Sequence, residues 1–270
     1  MILFPNCKIN LGLYVTGKLP NGYHHLETCF YPIRLHDVLE IIIQPVTEQT
    51  TLALSGIPIE HGTNNSCLHA YALLKKDFPQ LPPVAMHLHK AIPIGGGLGG
   101  GSADAAFTLL LLNKKFNLDL DEATLMQYAL QLGSDSPFFI KNTPCLASGR
   151  GEILQPVPLD LSAYKIVVVN PNIHVSTGWA FTQIQLEAPE LALAHILKLP
   201  VTQWKENLVN VFEKPIFEKY PAIKEIKEAL YKQGALYASM SGSGASVYGI
   251  FKKLDVPAFH FPPHYLVKEC

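Results

Sequence analysis

Pro93-Ile94-Gly95-Gly96-Gly97-Leu98-Gly99-Gly100-Gly101-Ser102-Ala103 decides how the rest of the chain is read, because six of the seven residues from 95 to 101 are glycine. Glycine loses more conformational freedom on folding than any other residue, so such a run marks a place where the backbone must approach something closely. Upstream, Val84-Ala85-Met86-His87-Leu88-His89 alternates as a strand and Ile92-Pro93 stops it. Downstream, Ser102 to Leu112 reads as a buried helix, since Ala105, Ala106, Leu109, Leu110 and Leu112 leave little room for a polar face. The order is strand, glycine loop, helix. Unhindered backbone N–H groups and the helix N-terminus together make an anion cradle suited to a nucleotide phosphate; a tight, close-packed turn is the alternative.

Toward the N-terminus, Ile2 to Val15 alternates loosely and ends in Gly17-Lys18-Leu19-Pro20-Asn21-Gly22, whose composition marks a hairpin turn. Asp37 to Ile43 and Thr51 to Gly56 alternate with period two. Between them and the loop lies one short amphipathic helix, Ser66 to Phe78, behind a polar Asn64-Asn65-Ser66 start. Toward the C-terminus a helix runs from about Glu122 to Leu132, closed by Gly133, a residue able to take the left-handed cap conformation, and Ser134-Asp135-Ser136-Pro137 follows at once. Gly149-Arg150-Gly151 then forms a joint. Beyond it the sequence predicts a strand over Lys165–Asn170, helices around Gln203–Phe212 and Ala222–Gln233, and a strand over Ala245–Phe251. The expected organisation is therefore α+β in two domains, 1–150 and 151–270.

The chain has 270 residues, 48% hydrophobic and only 16% charged, which is too apolar for a disordered polypeptide. A formal net charge of -1 without long charge runs excludes broad electrostatic attachment to nucleic acid or anionic lipid, so any anionic ligand must be held locally. The five cysteines are scattered and never in C-x-x-C spacing, as expected of reduced thiols in a cytoplasmic protein. Pro5, Asn6, Lys8 and Asn10 break up the apolar N-terminus, and no stretch approaches the ~18 apolar residues of a membrane span.

Three familiar glycine loops fail here. A Walker loop needs Gly-Lys-Ser or Gly-Lys-Thr at its end, where this chain has Gly100-Gly101-Ser102. A dinucleotide fingerprint matches at Gly95, Gly97 and Gly100, yet it normally opens its domain instead of following some ninety residues of β-rich chain. A protein-kinase loop lacks its Val-Ala-Ile-Lys strand and Asp-Phe-Gly. Residues 93–103 instead resemble the phosphate loop of the GHMP small-molecule kinases, in the triple-glycine form of the branch acting on a cytidine diphosphate alcohol. Further segments agree in the same order: Pro5-Asn6-Cys7-Lys8-Ile9-Asn10-Leu11, Asn21-Gly22-Tyr23-His24, Gly133-Ser134-Asp135-Ser136-Pro137, Gly149-Arg150-Gly151-Glu152 and Ser241-Gly242-Ser243-Gly244-Ala245. Departures are Gly100 and Gly101 in place of two serines, Ser134 and Ser136 in place of apolar residues, and Asn21 in place of Asp.

The resemblance implies a β-rich N-terminal domain carrying the phosphate loop, a ferredoxin-like C-terminal domain, and a cleft between them where ATP, with Mg2+, phosphorylates the alcohol at its 2-hydroxyl on the non-mevalonate route to isoprenoids. Lys8 and Asp135 are the implied catalytic pair: a carboxylate to accept the hydroxyl proton, and an ammonium to keep it ionised and neutralise developing charge. On the residues alone, Lys8 reads as a solvated strand residue and Asp135 as the N-cap of a short Ser-Pro helix. Pro93, Gly95, Gly96, Gly97, Leu98, Gly99, Gly100, Gly101 and Ser102 would cradle the ATP phosphates, with Asn65 and Lys90 near the adenosine; Lys90 also reads as a strand-end charge. Tyr23 and His24 resemble the residues that sandwich and hydrogen-bond cytosine, Phe181 the second aromatic of that clamp, and Thr177 a residue close to the diphosphate. Phe181 reads equally as a core aromatic. Asn10, in an otherwise apolar strand, needs a hydrogen-bond partner if buried, in substrate or near Lys8. No metal ligand is assigned: Ser102 is the only hydroxyl near the loop, and His87 and His89 lack further Cys, Asp or Glu at ligand spacing.

Partners are thus small molecules, and the protein is expected to be a monomer or weak homodimer. The rivals are a GHMP kinase for homoserine, mevalonate or a sugar, a nicotinamide-dependent oxidoreductase using Gly95-x-Gly97-x-x-Gly100, and a silent nucleotide-binding regulator.

Overall fold

The computed structural model describes residues 1–18, 22–59, 65–186, 188–254 and 257–270. Leu19, Pro20 and Asn21 of the hairpin turn, and Asn64 of the helix start, lie outside the described residues. In chain order the first elements are β1 (Ile2–Leu3), β2 (Asn6–Lys18), β3 (His24–His36), β4 (Val38–Ile43), β5 (Thr51–Gly56), α1 (Ser66–Asp77), β6 (Val84–Lys90), α2 (Gly100–Phe116), α3 (Glu122–Leu132) and α4 (Ser136–Lys141). There follow β7 (Cys145–Gly149), β8 (Ile153–Pro156), β9 (Tyr164–Asn170), α5 (Thr177–Gln183), α6 (Leu193–Ile196), α7 (Trp204–Asn207), α8 (Glu213–Lys219), α9 (Pro221–Lys232), β10 (Tyr237–Met240), β11 (Val247–Lys252) and β12 (Leu266–Glu269).

The chain divides into two compact units, and neither is a contiguous half. One comprises Met1–Cys7, Arg34–Ile94 and Gly99–Thr143; the other comprises Lys8–Ile33, Gly95–Leu98 and Pro144–Cys270. This division differs from the contiguous 1–150 and 151–270 expected from the sequence. The physical reason is strand pairing: β2 and β3 share a sheet with β7 and β8, in the order β2-β3-β7-β8, so early residues belong with late ones.

In the first unit, β1, β4, β6 and β5 form a sheet in that order, with β5 parallel to β6 and the other pairs antiparallel. Leu39 and Ile41 of β4 and Val84, Met86 and Leu88 of β6 face a core shared with Leu74 of α1, Leu109 and Leu112 of α2, and Leu125 of α3. Burial of such side chains, about 1.5–3 kcal/mol each, drives the assembly. The helices start and stop on their own signals. Asn65 Oδ1 accepts from Cys67 N (2.9 Å) and Asp121 Oδ1 from Thr124 N (2.8 Å), while Asn117 ends α2 at φ 49° behind Lys114 and Lys115, which suit the negative end of the dipole. α2 starts two residues before the expected Ser102 and runs four past Leu112. Gly133 ends α3 at φ 174°, extended backbone that any residue adopts, so no left-handed cap forms there.

Period two puts Lys90 on the same buried face of β6 as Val84, Met86 and Leu88, and the sheet buries it to 3% exposure. Its ammonium meets Asp37, at the head of β4, and Asp104 Oδ2, on α2, at 2.7 Å for the latter. Asp37 Oδ1 also accepts from Ala91 N (2.6 Å) and Ile92 N (2.9 Å), fixing the backbone that leaves β6. Burial alone would lower the Lys90 pKa, but the two carboxylates outweigh it and hold it raised. Burial pushes Asp104 up to about 7, with Asp37 adding to the shift and Lys90 opposing it. On the opposite face of β6, Ser55 Oγ bridges His87 Nε2 (2.8 Å) and His89 Nδ1 (2.9 Å), both exposed.

In the second unit, β10, β11, β9 and β12 form an antiparallel sheet in that order. Counted along the chain this is 2-3-1-4, the strand order of a ferredoxin-like sheet. α9 supplies the crossover before β10, burying Ile223, Ile226 and Leu230. The segment expected to be helical from Gln203 to Phe212 holds only the single turn of α7, because Leu208 leaves the helix and Leu13 and Asn210 form an isolated bridge. All five cysteines are free, and no described helix is long and apolar enough to cross a membrane.

The raised Asp104 sets a pH signature. Between about pH 4 and pH 7 the folded carboxyl keeps a proton that the unfolded one, at 3.8, releases, so this group's contribution to stability declines as pH climbs through that window. Urea unfolding across that range should show a slope that Asp104→Asn removes; equal slopes in both proteins would refute the assignment.

Candidate active site

The glycine loop is fastened from inside the second unit. Gly96 O accepts from Ser246 N (3.1 Å), Gly97 O from Ser241 Oγ (2.8 Å), and Leu98 O from Lys8 N (3.0 Å). With these carbonyls engaged on the protein side, the loop's N–H groups are left to meet an anion. Gly95, Gly97 and Gly99 take φ of 63°, 76° and 72°, left-handed backbone that side chains disfavour. At Gly97 the constraint is absolute: an added Cβ would lie 1.9 Å from Ser241 O. Gly242 packs back against it, its own Cβ position 3.1 Å from Gly97 Cα.

Lys8 is 3% exposed, which excludes a solvated strand residue. Its ammonium donates to Asn10 Oδ1 (2.6 Å), reaches Gly97 O (3.4 Å), and lies 4.7 Å from the centre of the Phe30 ring. Asn10 is also buried: Nδ2 donates to Thr28 Oγ1 (3.0 Å), its backbone N–H donates to Ser241 Oγ (3.3 Å) and its C=O accepts from Tyr248 OH (2.7 Å). A buried ammonium demands such partners, because an unpaired one is too costly to desolvate. The second unit also brings together two of the expected substrate residues. The His24 and Phe181 rings stack at 4.8 Å with planes 24° apart, and Phe181 meets Phe212 edge-on at 4.9 Å. Burial, then Lys18, lowers the His24 pKa. Tyr23 is 57% exposed under the Arg150 guanidinium, 5.2 Å from its ring centre. Thr177 Oγ1 lies 3.2 Å from Ser243 Oγ, both at the surface.

In the first unit, α2 presents its N-terminal N–H groups behind Gly99, with Gly100, Gly101 and Ser102 in its first turn. Pro93 precedes the loop in the buried stretch after Ile92. Gly100 is close-packed, an added Cβ lying 2.9 Å from Ile92 Cγ2, whereas a Cβ at Gly101 would meet nothing within 4 Å. Asp135 holds the N-cap position of α4 in right-handed helical backbone, but its side chain does not cap that helix. Beside it Ser136 Oγ is buried without a hydrogen-bond partner, 3.0 Å from where a Cβ on Gly133 would sit, and Ser102 Oγ is 3.5 Å from the same point. Asn65 Oδ1 is taken by the cap of α1. Lys90, expected near the adenosine, has its buried ammonium on Asp37 and Asp104, which fixes the strand end that leads to the loop.

Sequence models identify residues 65–142 as "GHMP kinases N terminal domain" and 200–259 as "GHMP kinases C terminal". The 4-diphosphocytidyl-2-C-methyl-D-erythritol kinase of Bacteroides fragilis (strain YCH46) is 53% identical over 257 residues, covering 93% of this chain and 92% of that protein. The chain belongs to the 4-diphosphocytidyl-2-C-methyl-D-erythritol kinase family of GHMP kinases. A crystal structure of 4-(cytidine 5'-diphospho)-2C-methyl-D-erythritol kinase superimposes with a TM-score of 0.81 at 32% identity, covering 94% of this chain and 91% of that one. The Methanococcus jannaschii mevalonate kinase, at 14% identity and a TM-score of 0.67 over 93% of this chain and 90% of that one, shares the fold.

Within this GHMP kinase, sequence reasoning passed over the side chains that hold the loop in place: Thr28, Asn210, Ser241, Ser246 and Tyr248, with Asp37 and Asp104. Their one signal is polarity inside apolar strands and helices. Asn210 Nδ2, for example, donates to Met240 O (2.8 Å) and Gly242 O (2.9 Å), setting the turn that Gly97 abuts. No group of three His, Cys, Asp or Glu placed to hold a metal occurs among the described residues.

The two kinds of loop glycine should separate on substitution. Gly97→Ala is expected to lower the unfolding free energy measured in urea by at least the ~1–3 kcal/mol of backbone strain. Gly101→Ala, in a helical turn with open space around it, should gain about 0.5–1 kcal/mol. Equal shifts would contradict the packing at Gly97.

Proposed function

We propose that this chain transfers the γ-phosphoryl group of ATP to the 2-hydroxyl of 4-diphosphocytidyl-2-C-methyl-D-erythritol, a step toward isoprenoid precursors. The observation that carries the reading is the buried ammonium of Lys8 at the Gly97 carbonyl, a fixed positive charge on a loop built for phosphate. The names of the relatives supply the acceptor alcohol.

The alcohol oxygen attacks the γ-phosphorus, the bond from that phosphorus to the β-phosphate oxygen breaks, ADP leaves, and the hydroxyl proton passes to the Asp135 carboxylate. Lys8 neutralises charge developing on the transferred group. Its bonds to Asn10 and to Gly97 O keep the ammonium from relaxing away, so little reorganisation is needed at the moment of transfer. The loop N–H groups and the α2 N-terminus take the phosphates of ATP. Asn65 Nδ2 is the donor that residue can offer adenosine.

Magnesium fits this setting through oxygen donors: the phosphates themselves and the Ser102 hydroxyl in the first turn of α2, a hard cation's preferred chemistry. Bound there it supplies charge neutralisation. The cytosine stacks on Phe181, which requires the His24 ring to part from it and frees the imidazole to hydrogen-bond the base; Tyr23 offers the facing ring and Thr177 Oγ1 a donor for the diphosphate. We read the enzyme as cytoplasmic, a monomer or weak homodimer working on small molecules, on its balanced charge and unpaired cysteines.

ADP release with Mg-ATP tests this directly. Turnover is expected with the cytidylated alcohol and not with mevalonate, homoserine or galactose, and Asp135→Asn should slow it about 10²–10⁴-fold, the usual worth of a positioned general base. Turnover with a different alcohol would keep the kinase and discard the assignments of Tyr23, His24 and Phe181.

A further inference from the structure

The turn after β9 is anchored to the glycine loop by side chains with no place in the mechanism above. Asn170, buried at the end of β9, donates through Nδ2 to Ser246 Oγ (2.8 Å), and its Oδ1 accepts from Asn172 N (2.8 Å). Ser246 N in turn donates to Gly96 O (3.1 Å). Asn172 adopts φ 59°, a left-handed conformation that asparagine tolerates better than most residues, and the chain bends there. Two residues on, the imidazole of His174 comes back over the loop. A Cβ placed on Gly95 would lie 3.6 Å from His174 Nδ1 and 4.0 Å from Cε1, so one ring edge faces the loop's first glycine.

His174 is exposed and, among the described residues, has no hydrogen bond or ion pair. The loop does not need it for shape, because the carbonyls of Gly96, Gly97 and Leu98 already accept from Ser246, Ser241 and Lys8. A donor held by a rigid turn at the edge of an anion cradle has a phosphate oxygen as its natural acceptor, and a protonated imidazole would add charge to the bond.

We propose that His174 is a phosphate-binding residue, donating from its ring to a phosphate oxygen of a substrate lying on the Gly95–Leu98 loop. The proposal rests on the kinase reading above. Two substrates carry such an oxygen, the nucleotide and the cytidine diphosphate alcohol, and the chemistry of recognition is the same for either.

Direct binding to the purified protein separates the cases, measuring ATP against adenosine and cytidine 5'-diphosphate against cytidine, with magnesium, for the wild type, His174→Gln and His174→Lys. His174→Gln should weaken one phosphorylated ligand about ten- to a hundredfold, the size of one hydrogen bond to a charged group, with its nucleoside unchanged. The ligand affected identifies the substrate whose phosphate is held. His174→Lys, which supplies a donor at the same place, should restore most of the affinity. Unaltered binding of both phosphorylated ligands to His174→Gln would overturn the proposal alone, as would an equal loss for nucleoside and nucleotide. A wild type that binds neither phosphorylated ligand would overturn the kinase reading and this proposal together.

Discussion

A methyl group cannot be placed on residue 97 without driving it into the carbonyl of Ser241. That contact couples the glycine loop to the Ser241–Gly244 turn, and much of the second unit's polar interior is arranged around it. Ser241 bonds Gly97 O and receives Asn10 N; Asn10 holds the ammonium of Lys8; Thr28 and Tyr248 hold Asn10; Asn210 sets the turn. Each group satisfies a neighbour that would otherwise be a buried, unpaired dipole. The chemistry is consequently positioned by a network in which no member can be removed without orphaning another.

The first unit solves a different problem, how to hold a strand end and a helix start in register without help from water. Lys90, Asp37 and Asp104 do so with two negative charges to one positive, an excess that burial relieves by raising the affinity of Asp104 for a proton. Breaking one partner would leave its fellows charged and dry, so the cluster is better understood as a specification of geometry than as a source of stability.

Much of this was legible in the sequence, and the limits have physical causes. Local periodicity placed β4, β5, β6, α1, α3, β9, α9 and β11 to within a few residues, since each carries a clean apolar face. It could not partition the chain into compact units, because β3 and β7 find each other across more than a hundred residues and no local pattern encodes that pairing. The alternation Val84, Met86, Leu88 extends to Lys90 and puts that lysine on the core face, a phase that its reading as a strand-end charge overlooks. The resemblance to GHMP kinases named Lys8, Asn10, Asp135 and the aromatic pair His24 and Phe181; in the structure Lys8 and Asn10 are buried and bonded to each other, and the two rings stack. The small residues behind them stayed hidden, as serine and threonine in a strand look the same whether they face solvent or a loop carbonyl.

The interleaving of the two units has a consequence for how the chain is made. Once residue 143 has been made, everything the first unit contains has been delivered, so its sheet and helices can close early. Residues 8–33 cannot. Asn10 waits for Ser241 and Tyr248, more than two hundred residues later, and Leu13 waits for Asn210. Residues 8–33 can pair with β7 and β8 once residue 156 is made, but their buried polar groups lack those later partners until residues 210–248 follow, an incompletely packed state of the sort that invites association between nascent chains. Residues 210–248 thus complete the structure begun by residues 8–33, and the lysine at position 8 acquires its full surroundings only when that distant segment has been made.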